Sequence, residues 1–321
     1  MKTDRQYFDV ILPVAPKDME NMEICIRKIM ENIHPQKIIV IASNQVRSMI
    51  PLLDGVEFCD EDHLKENLTL YDVEQTMVEI TGSKARSNWY FQQFLKMAYA
   101  FRCSHDYYLI WDSDTIPLND IQFWENINGK EKCLFSTRPR CRAYYINTLN
   151  TLFNGKVKKL TKRSFIVEHM MINRKIMKEL IHEIEMNDQI QGKYFFEKIL
   201  HAIDKNDIQF SGFSEFETYG NYVLNFYPEM YAVRNLRTYR KGAMVIDKSQ
   251  VDNNTLDWIS KNYDTISFEG HDYKRIFCFL RRKMAVYKQR RCISFKTYQF
   301  ILRILGKMGS LFRIAVFMLI P

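Results

Sequence analysis

Glycine is scarce, at 11 residues in 321, and neither G-x-G-x-x-G nor G-x-x-x-x-G-K-[ST] occurs. No glycine-rich loop can therefore bring backbone amides against a pyrophosphate, which excludes ordinary dinucleotide and P-loop sites. The seven cysteines (Cys25, Cys59, Cys103, Cys133, Cys141, Cys278 and Cys292) form an odd, scattered set without a C-x-x-C pair. That pattern argues against a zinc site or a disulfide framework and predicts reduced thiols in a cytosolic compartment. Residues 1–9 carry no apolar signal core, so no secretion signal is expected. Long apolar runs are missing as well: the uninterrupted stretch 314–320 is too short to cross a bilayer.

What is present is a globular composition, 46% hydrophobic, on a chain long enough for one large α/β body plus an appendage. The net charge of +8 is unevenly spread. Residues 273–321 hold 12 of the 46 Lys and Arg and no Asp or Glu, leaving 34 basic against 38 acidic residues in the first 272. A body over 1–272 and a basic tail over 273–321 follow from that asymmetry.

Short apolar runs with helical segments between them predict βαβ units and a mostly parallel sheet. Strands are expected at 7–13, 37–42, 56–59, 107–111, 133–137 and 165–173. Helices are expected at about 19–33, 46–53, 87–102 (with Ser87 as cap), 174–204 and 253–262. Residues 138–164 are basic and read as a loop or lid over the site. The strand Tyr107–Trp111 ends abruptly in Asp112-Ser113-Asp114, and Pro117 stops it from continuing at a central position. Carboxylates at the C-terminal end of a buried strand sit at the rim where open α/β sheets bind ligands. Two such charges two residues apart repel, and oxygen-preferring Mg²⁺ or Mn²⁺ relieves the repulsion. An Asp-rich turn is the competing explanation. Ser43, Asn44 and Asp60 follow neighbouring strands and would line the same rim as parts of a nucleotide pocket.

Three stretches taken together resemble a family of bacterial nucleotide-sugar glycosyltransferases of the GT-A type. They are Asn88-Trp-Tyr-Phe-Gln-Gln-Phe-Leu-Lys-Met97, Trp111-Asp-Ser-Asp-Thr-Ile-Pro-Leu118 and Ser214-Glu-Phe-Glu-Thr-Tyr-Gly-Asn-Tyr222. The resemblance spans about residues 7–272. It implies a Rossmann-like GT-A fold, a mixed and mostly parallel sheet flanked by helices, and transfer of a sugar from a nucleotide-diphosphate donor. A UDP-sugar is the favoured donor and a glycan or polyprenyl-linked molecule the acceptor. It assigns Asp112, Asp114 and His271 to Mn²⁺ or Mg²⁺. Pro13, Ser43, Asn44, Gln92, Lys96, Trp111 and Ser113 fall to the nucleotide-sugar, and Glu215 and His169 to the chemistry. Direct displacement needs a carboxylate that takes the acceptor proton, and Glu215 fills that role. Glu217 is open to another account, because Ser214 followed three residues later by Glu217 is a capping-box pattern. His169, alone in an apolar run, also fits a buried core position.

The tail from 296 to 320 sets Lys296, Arg303, Lys307 and Arg313 on one arc of a helix and aliphatic or aromatic residues on the rest. A basic amphipathic helix of this kind lies in a membrane interface rather than across it. The expectation is a cytosolic enzyme held peripherally at the inner face of an anionic plasma membrane, with no nucleic-acid partner. A haloacid-dehalogenase-like phosphatase and a non-catalytic membrane scaffold on the same body are the alternatives.

Overall fold

A computed structural model describes residues 7–246, 251–269, 294–300 and 303–304. In chain order the elements are β1 (Phe8–Pro13), α1 (Met22–Ile33), β2 (Ile38–Ala42), β3 (Val56–Asp60), α2 (Leu70–Thr81) and α3 (Ser87–Ala98). Next come β4 (Tyr107–Trp111), β5 (Thr115–Pro117), β6 (Trp124–Ile127), β7 (Lys130–Ser136), α4 (Ala143–Leu152), β8 (His169–Asn173) and α5 (Arg174–Glu185). The chain continues with α6 (Phe195–Ala202), α7 (Glu215–Phe226), β9 (Tyr231–Arg234), β10 (Thr238–Tyr239), α8 (Gly242–Val245), α9 (Asn253–Ser260) and β11 (Thr265–Ser267).

Its contacts divide the chain into two compact units, the first made of residues 1–19, 34–113 and 122–235. The first unit is built on a five-stranded sheet in the order β3-β2-β1-β4-β8, parallel except for β8. β1 and β2 are buried at every position, which is why both read as apolar runs, broken only by Asp9 of β1, instead of alternating ones. Because β8 runs antiparallel to β4, its first residue His169 pairs with Trp111, the last of β4. The C-terminal ends of β1 to β4 and the start of β8 thus share one rim. A smaller sheet, β6-β7-β9, belongs to the same unit. The fold is mixed α/β with a mostly parallel sheet flanked by helices, as expected.

The second unit comprises residues 20–33, 114–121 and 236–321. Its three-stranded sheet has the order β10-β11-β5, with β11 antiparallel to β5. α1 packs on β5: the Cys25 thiol donates to the Thr115 carbonyl at 3.1 Å, and Asn32 Nδ2 to the Pro117 carbonyl at 3.0 Å. Phe295 packs edge-on against Trp258 of α9 and Tyr239 of β10. The remainder of the 273–321 tail, apart from 294–300 and 303–304, lies outside the described residues.

Several boundaries differ from the sequence expectation. The 46–53 segment is a 3-10 helix at Asn44–Met49, and residues 16–21 precede α1 as another. Ser87 does not cap α3; Arg86, in the left-handed region at φ 73°, precedes the helix and gives it no side-chain cap. The strand expected from Phe165 begins only at His169. The helix expected over 174–204 is two helices, because Asn187 turns its amide to the Thr151 and Leu152 carbonyls and Gly192 adopts φ 114°. The 138–164 segment contains α4 and is closed at its base by the Arg138–Ser164 bridge.

Candidate active site

The Asp112 backbone leaves β4 still bonded to the start of β8, donating to the Glu168 carbonyl at 2.9 Å. Its side chain turns to α3, whose Lys96 donates to Asp112 Oδ1 at 2.7 Å. The same ammonium donates to Glu215 Oε1 at 2.9 Å, joining residues 119 positions apart. Lys96 and Glu215 are almost fully buried, while the Asp112 side chain is 34% exposed. Burial alone would pull the Lys96 ammonium down, but the Asp112 and Glu215 carboxylates outweigh it, and the group is held above its usual range. The Phe216 ring lies 4.8 Å from the same ammonium.

Local sequence explains how Glu215 reaches this position. Ser214 caps α7, accepting from the Glu217 N–H at 3.3 Å, and places Glu215 in the first helical turn. The Glu215 N–H donates to Gln93 Oε1 at 3.2 Å, so α3 orients the residue through both Gln93 and Lys96. Gln92, expected at the nucleotide-sugar, is only half-buried, and its unexpected neighbour Gln93 is the buried one. The signal was available, since Gln93 falls among the apolar positions Tyr90, Phe94 and Met97 of the buried face.

Glu217 does not complete the capping box. Its carboxylate faces the 159–165 segment, accepting from Ser164 Oγ and the Phe165 N–H, both at 2.8 Å, from Asn221 Nδ2 at 2.9 Å, and from Lys159. Four donors at close range outcompete a reach back to the Ser214 amide. Gly220 lets the helix lie against Phe165: a Cβ there would stand 2.4 Å from the ring. The Tyr219 hydroxyl receives the Asn173 N–H and pairs with Tyr231, each at 2.8 Å. Most of the 214–222 stretch is thus structural.

His169 and Trp111 are core residues at the rim. Their rings stack at 4.7 Å, and His169 is 2% exposed. Arg234 Nη2 stands 3.1 Å from His169 Nε2 and Ser136 Oγ 3.2 Å from it. A guanidinium only donates, so Nε2 is the acceptor and the imidazole proton sits on Nδ1, which has no hydrogen-bond partner among the described residues. Burial first, then the Arg234 charge, hold His169 well below its ordinary range and therefore neutral. The unfolded chain takes up this proton below about pH 6.5 and the folded chain does not. Stability should consequently fall as the pH drops below about 6.5, approaching ~1.4 kcal/mol per pH unit from this group. Urea midpoints measured between pH 5 and 8 should show a shallower decline for His169→Asn; an identical slope would contradict the assignment.

Along the rest of the rim, Pro13 closes β1 and is buried. Ser43 caps the 3-10 turn after β2, its hydroxyl accepting from the Gln45 N–H at 3.3 Å. Asn44 donates to the Asp60 carboxylate at the end of β3, which also lies 2.9 Å from His63 Nδ1. Ser113 is buried. In the second unit, Asp114 opens the turn into β5: its carbonyl accepts the Phe268 N–H at 2.8 Å, and its carboxylate accepts from Thr115 Oγ1 at 3.2 Å. His271 lies outside the described residues. Among the described residues no three His, Cys, Asp or Glu side chains cluster as a ready metal cage. Asp112 and Asp114 are two residues apart in the chain, Asp112 in the first unit and Asp114 in the second, and each offers the hard carboxylate oxygen that Mg²⁺ or Mn²⁺ prefers.

A family described as being of unknown function, DUF6492, matches residues 6–291. The chain belongs to that family. No curated protein matches this DUF6492 member. Among solved structures it is similar to the WbbM bifunctional glycosyltransferase, at 12% identity over 84% of this chain and 47% of that one, with a TM-score of 0.40. It therefore spans about half the length of WbbM. It is also similar to mouse xyloside xylosyltransferase 1, at 13% identity over 84% of this chain and 99% of that one, TM-score 0.41. The Saccharomyces cerevisiae mannosyltransferase Ktr4p is similar at 10% identity over 73% of this chain and 72% of that one, TM-score 0.39. All three neighbours are glycosyltransferases. No helix among the described residues is long and apolar enough to cross a membrane.

Proposed function

We propose that this DUF6492 member is a metal-dependent glycosyltransferase. It would move a sugar from a nucleoside-diphosphate donor, a UDP-sugar by preference, to a hydroxyl of a glycan or lipid-linked acceptor. One observation carries the reading: the strand-end Asp112 and the helix-start Glu215 lie on two sides of a single ammonium. A carboxylate for a cation and a carboxylate for a proton are the two parts that a direct displacement requires.

Asp112 and Asp114 would hold Mn²⁺ or Mg²⁺, which when bound supplies positive charge to the departing diphosphate. Glu215 would take the proton of the attacking acceptor hydroxyl through its carboxylate. Pro13, Ser43, Asn44 and Asp60 would meet the nucleoside. Three strand spacings of about 4.8 Å separate β3 from β4, roughly 14 Å, a length that a nucleoside diphosphate can bridge. Ser113 would present its backbone to the donor, and His271 would complete the diphosphate or metal contacts. In this reading Trp111 and His169 act from beneath, as the packed floor that sets where Asp112 emerges. The 138–164 segment would form a wall on the acceptor side, tied down by Glu217.

Calorimetric titration with Mn²⁺ and UDP, followed by a nucleotide-sugar panel, tests the assignment. Asp114→Asn should lose metal-dependent nucleotide binding by about 100-fold or more, because half of the protein's ligand charge is removed. Undiminished binding would remove Asp114 from the site. The basic, anion-free tail supports a peripheral position at the cytosolic membrane face, with roughly 1 kcal/mol from each Lys or Arg near anionic headgroups. Deleting residues 296–321, the amphipathic part of that tail, should weaken sedimentation with phosphatidylserine vesicles; unchanged sedimentation would defeat the interfacial helix.

A further inference from the structure

We infer that Lys96 is an internal competitor for the divalent cation, its ammonium holding one oxygen of Asp112 against Glu215 so that metal binds firmly at the other oxygen only together with the donor diphosphate. The inference rests on the glycosyl-transfer reading above and adds an order to it. The geometry is that of an occupied cation site: one ammonium, 2.7 Å from a carboxylate at the strand end and 2.9 Å from a buried one. The ammonium has little freedom to leave. α3 is buried along the face that carries it, the Tyr108 hydroxyl donates to the Lys96 carbonyl at 2.9 Å, and the Phe216 ring covers the side chain.

Charge decides the consequence. Asp112, Glu215 and Lys96 together carry one net negative charge, against two without the lysine. A divalent ion approaching the other oxygen of Asp112 meets a fixed positive charge a few ångströms away. At an effective dielectric of about 20, repulsion at that range remains large. A diphosphate reverses the balance by bringing enough negative charge for both cations. Free metal therefore gains little at this site, while metal paired with a diphosphate gains fully. A lysine that served only as a structural bolt would behave in the opposite sense, because removing it would loosen Asp112 and weaken metal binding.

The test is calorimetric titration of Mn²⁺ alone into the full chain at pH 7, with circular dichroism to verify folding. Lys96→Met should bind Mn²⁺ about tenfold more tightly than the unaltered protein, or better, and Lys96→Arg should retain the unaltered affinity. UDP should raise the Mn²⁺ affinity of the unaltered protein by a larger factor than that of Lys96→Met. If two facing carboxylates prevent Lys96→Met from folding, Lys96→Met/Glu215→Gln replaces it. That double variant should still bind Mn²⁺ more tightly than Glu215→Gln alone. Equal or weaker Mn²⁺ binding by the folded lysine-free variants overturns the inference. Failure of the underlying function would register elsewhere, as an unaltered protein whose UDP binding ignores Mn²⁺.

Discussion

Glu215→Gln should lower kcat by about 10²- to 10⁴-fold with a much smaller change in acceptor KM, the range associated with losing a positioned general base. Glutamine keeps the shape and can still accept from Lys96, so the Lys96–Asp112 contact at 2.7 Å and the fold should survive. The measurement is initial rate against acceptor concentration, with thermal unfolding as a control on folding. The cap at Ser214 and the Gln93 bond to its amide fix the backbone of Glu215, and burial with the Lys96 contact holds its carboxylate. Such pre-organisation is what a proton acceptor needs and what an incidental surface glutamate lacks. A kcat within tenfold of the unaltered protein would instead make Glu215 a holder of Lys96, as expected if the reaction retains the anomeric configuration.

Two residues along the same helix, Glu217→Ala should behave in the opposite way, with a large loss of stability. Its carboxylate is 1% exposed as a residue and serves Lys159, Ser164, Phe165 and Asn221. Truncation takes the acceptor from a buried hydroxyl and a buried N–H, and it leaves the half-buried Lys159 ammonium with the Arg163 carbonyl but no counter-charge. Breaking one side of a buried pair typically costs about 3–5 kcal/mol. For a unit of some 200 residues that corresponds to a Tm lower by roughly 6–20 °C. Circular dichroism melting curves supply the number, and hydrogen exchange should show faster opening of residues 159–165. At 15 °C, where the variant is still folded, turnover should stay within a few-fold. A Tm within 2 °C would mean that the 159–165 segment does not depend on this carboxylate. The pair of substitutions separates chemistry from architecture within one stretch of nine residues.

The legible parts of this protein are local. Apolar runs identified β1, β2 and β4 because strands buried on both faces are apolar at nearly every position, Asp9 of β1 being the exception. The Asp112-Ser113-Asp114 break, the Ser214 cap and the βαβ order were readable because each rests on neighbours within a few residues. The excess of charge in 273–321 needed only counting. Less legible were the partners of buried charges. Lys96 follows Gln92 by four residues, a polar spacing that a solvated helix face would also show, and its burial depends on Glu215 arriving from 119 residues away. Glu217 left its capping box for donors in 159–165, and His169 entered the core because antiparallel β8 sets it opposite Trp111. Spacing along a chain encodes which face a side chain occupies, whereas the identity of the group across the interface depends on how distant segments dock. An isolated buried charge is too costly to tolerate, so the tertiary contacts decided which carboxylate pairs with Lys96 and which one ties down the 159–165 segment.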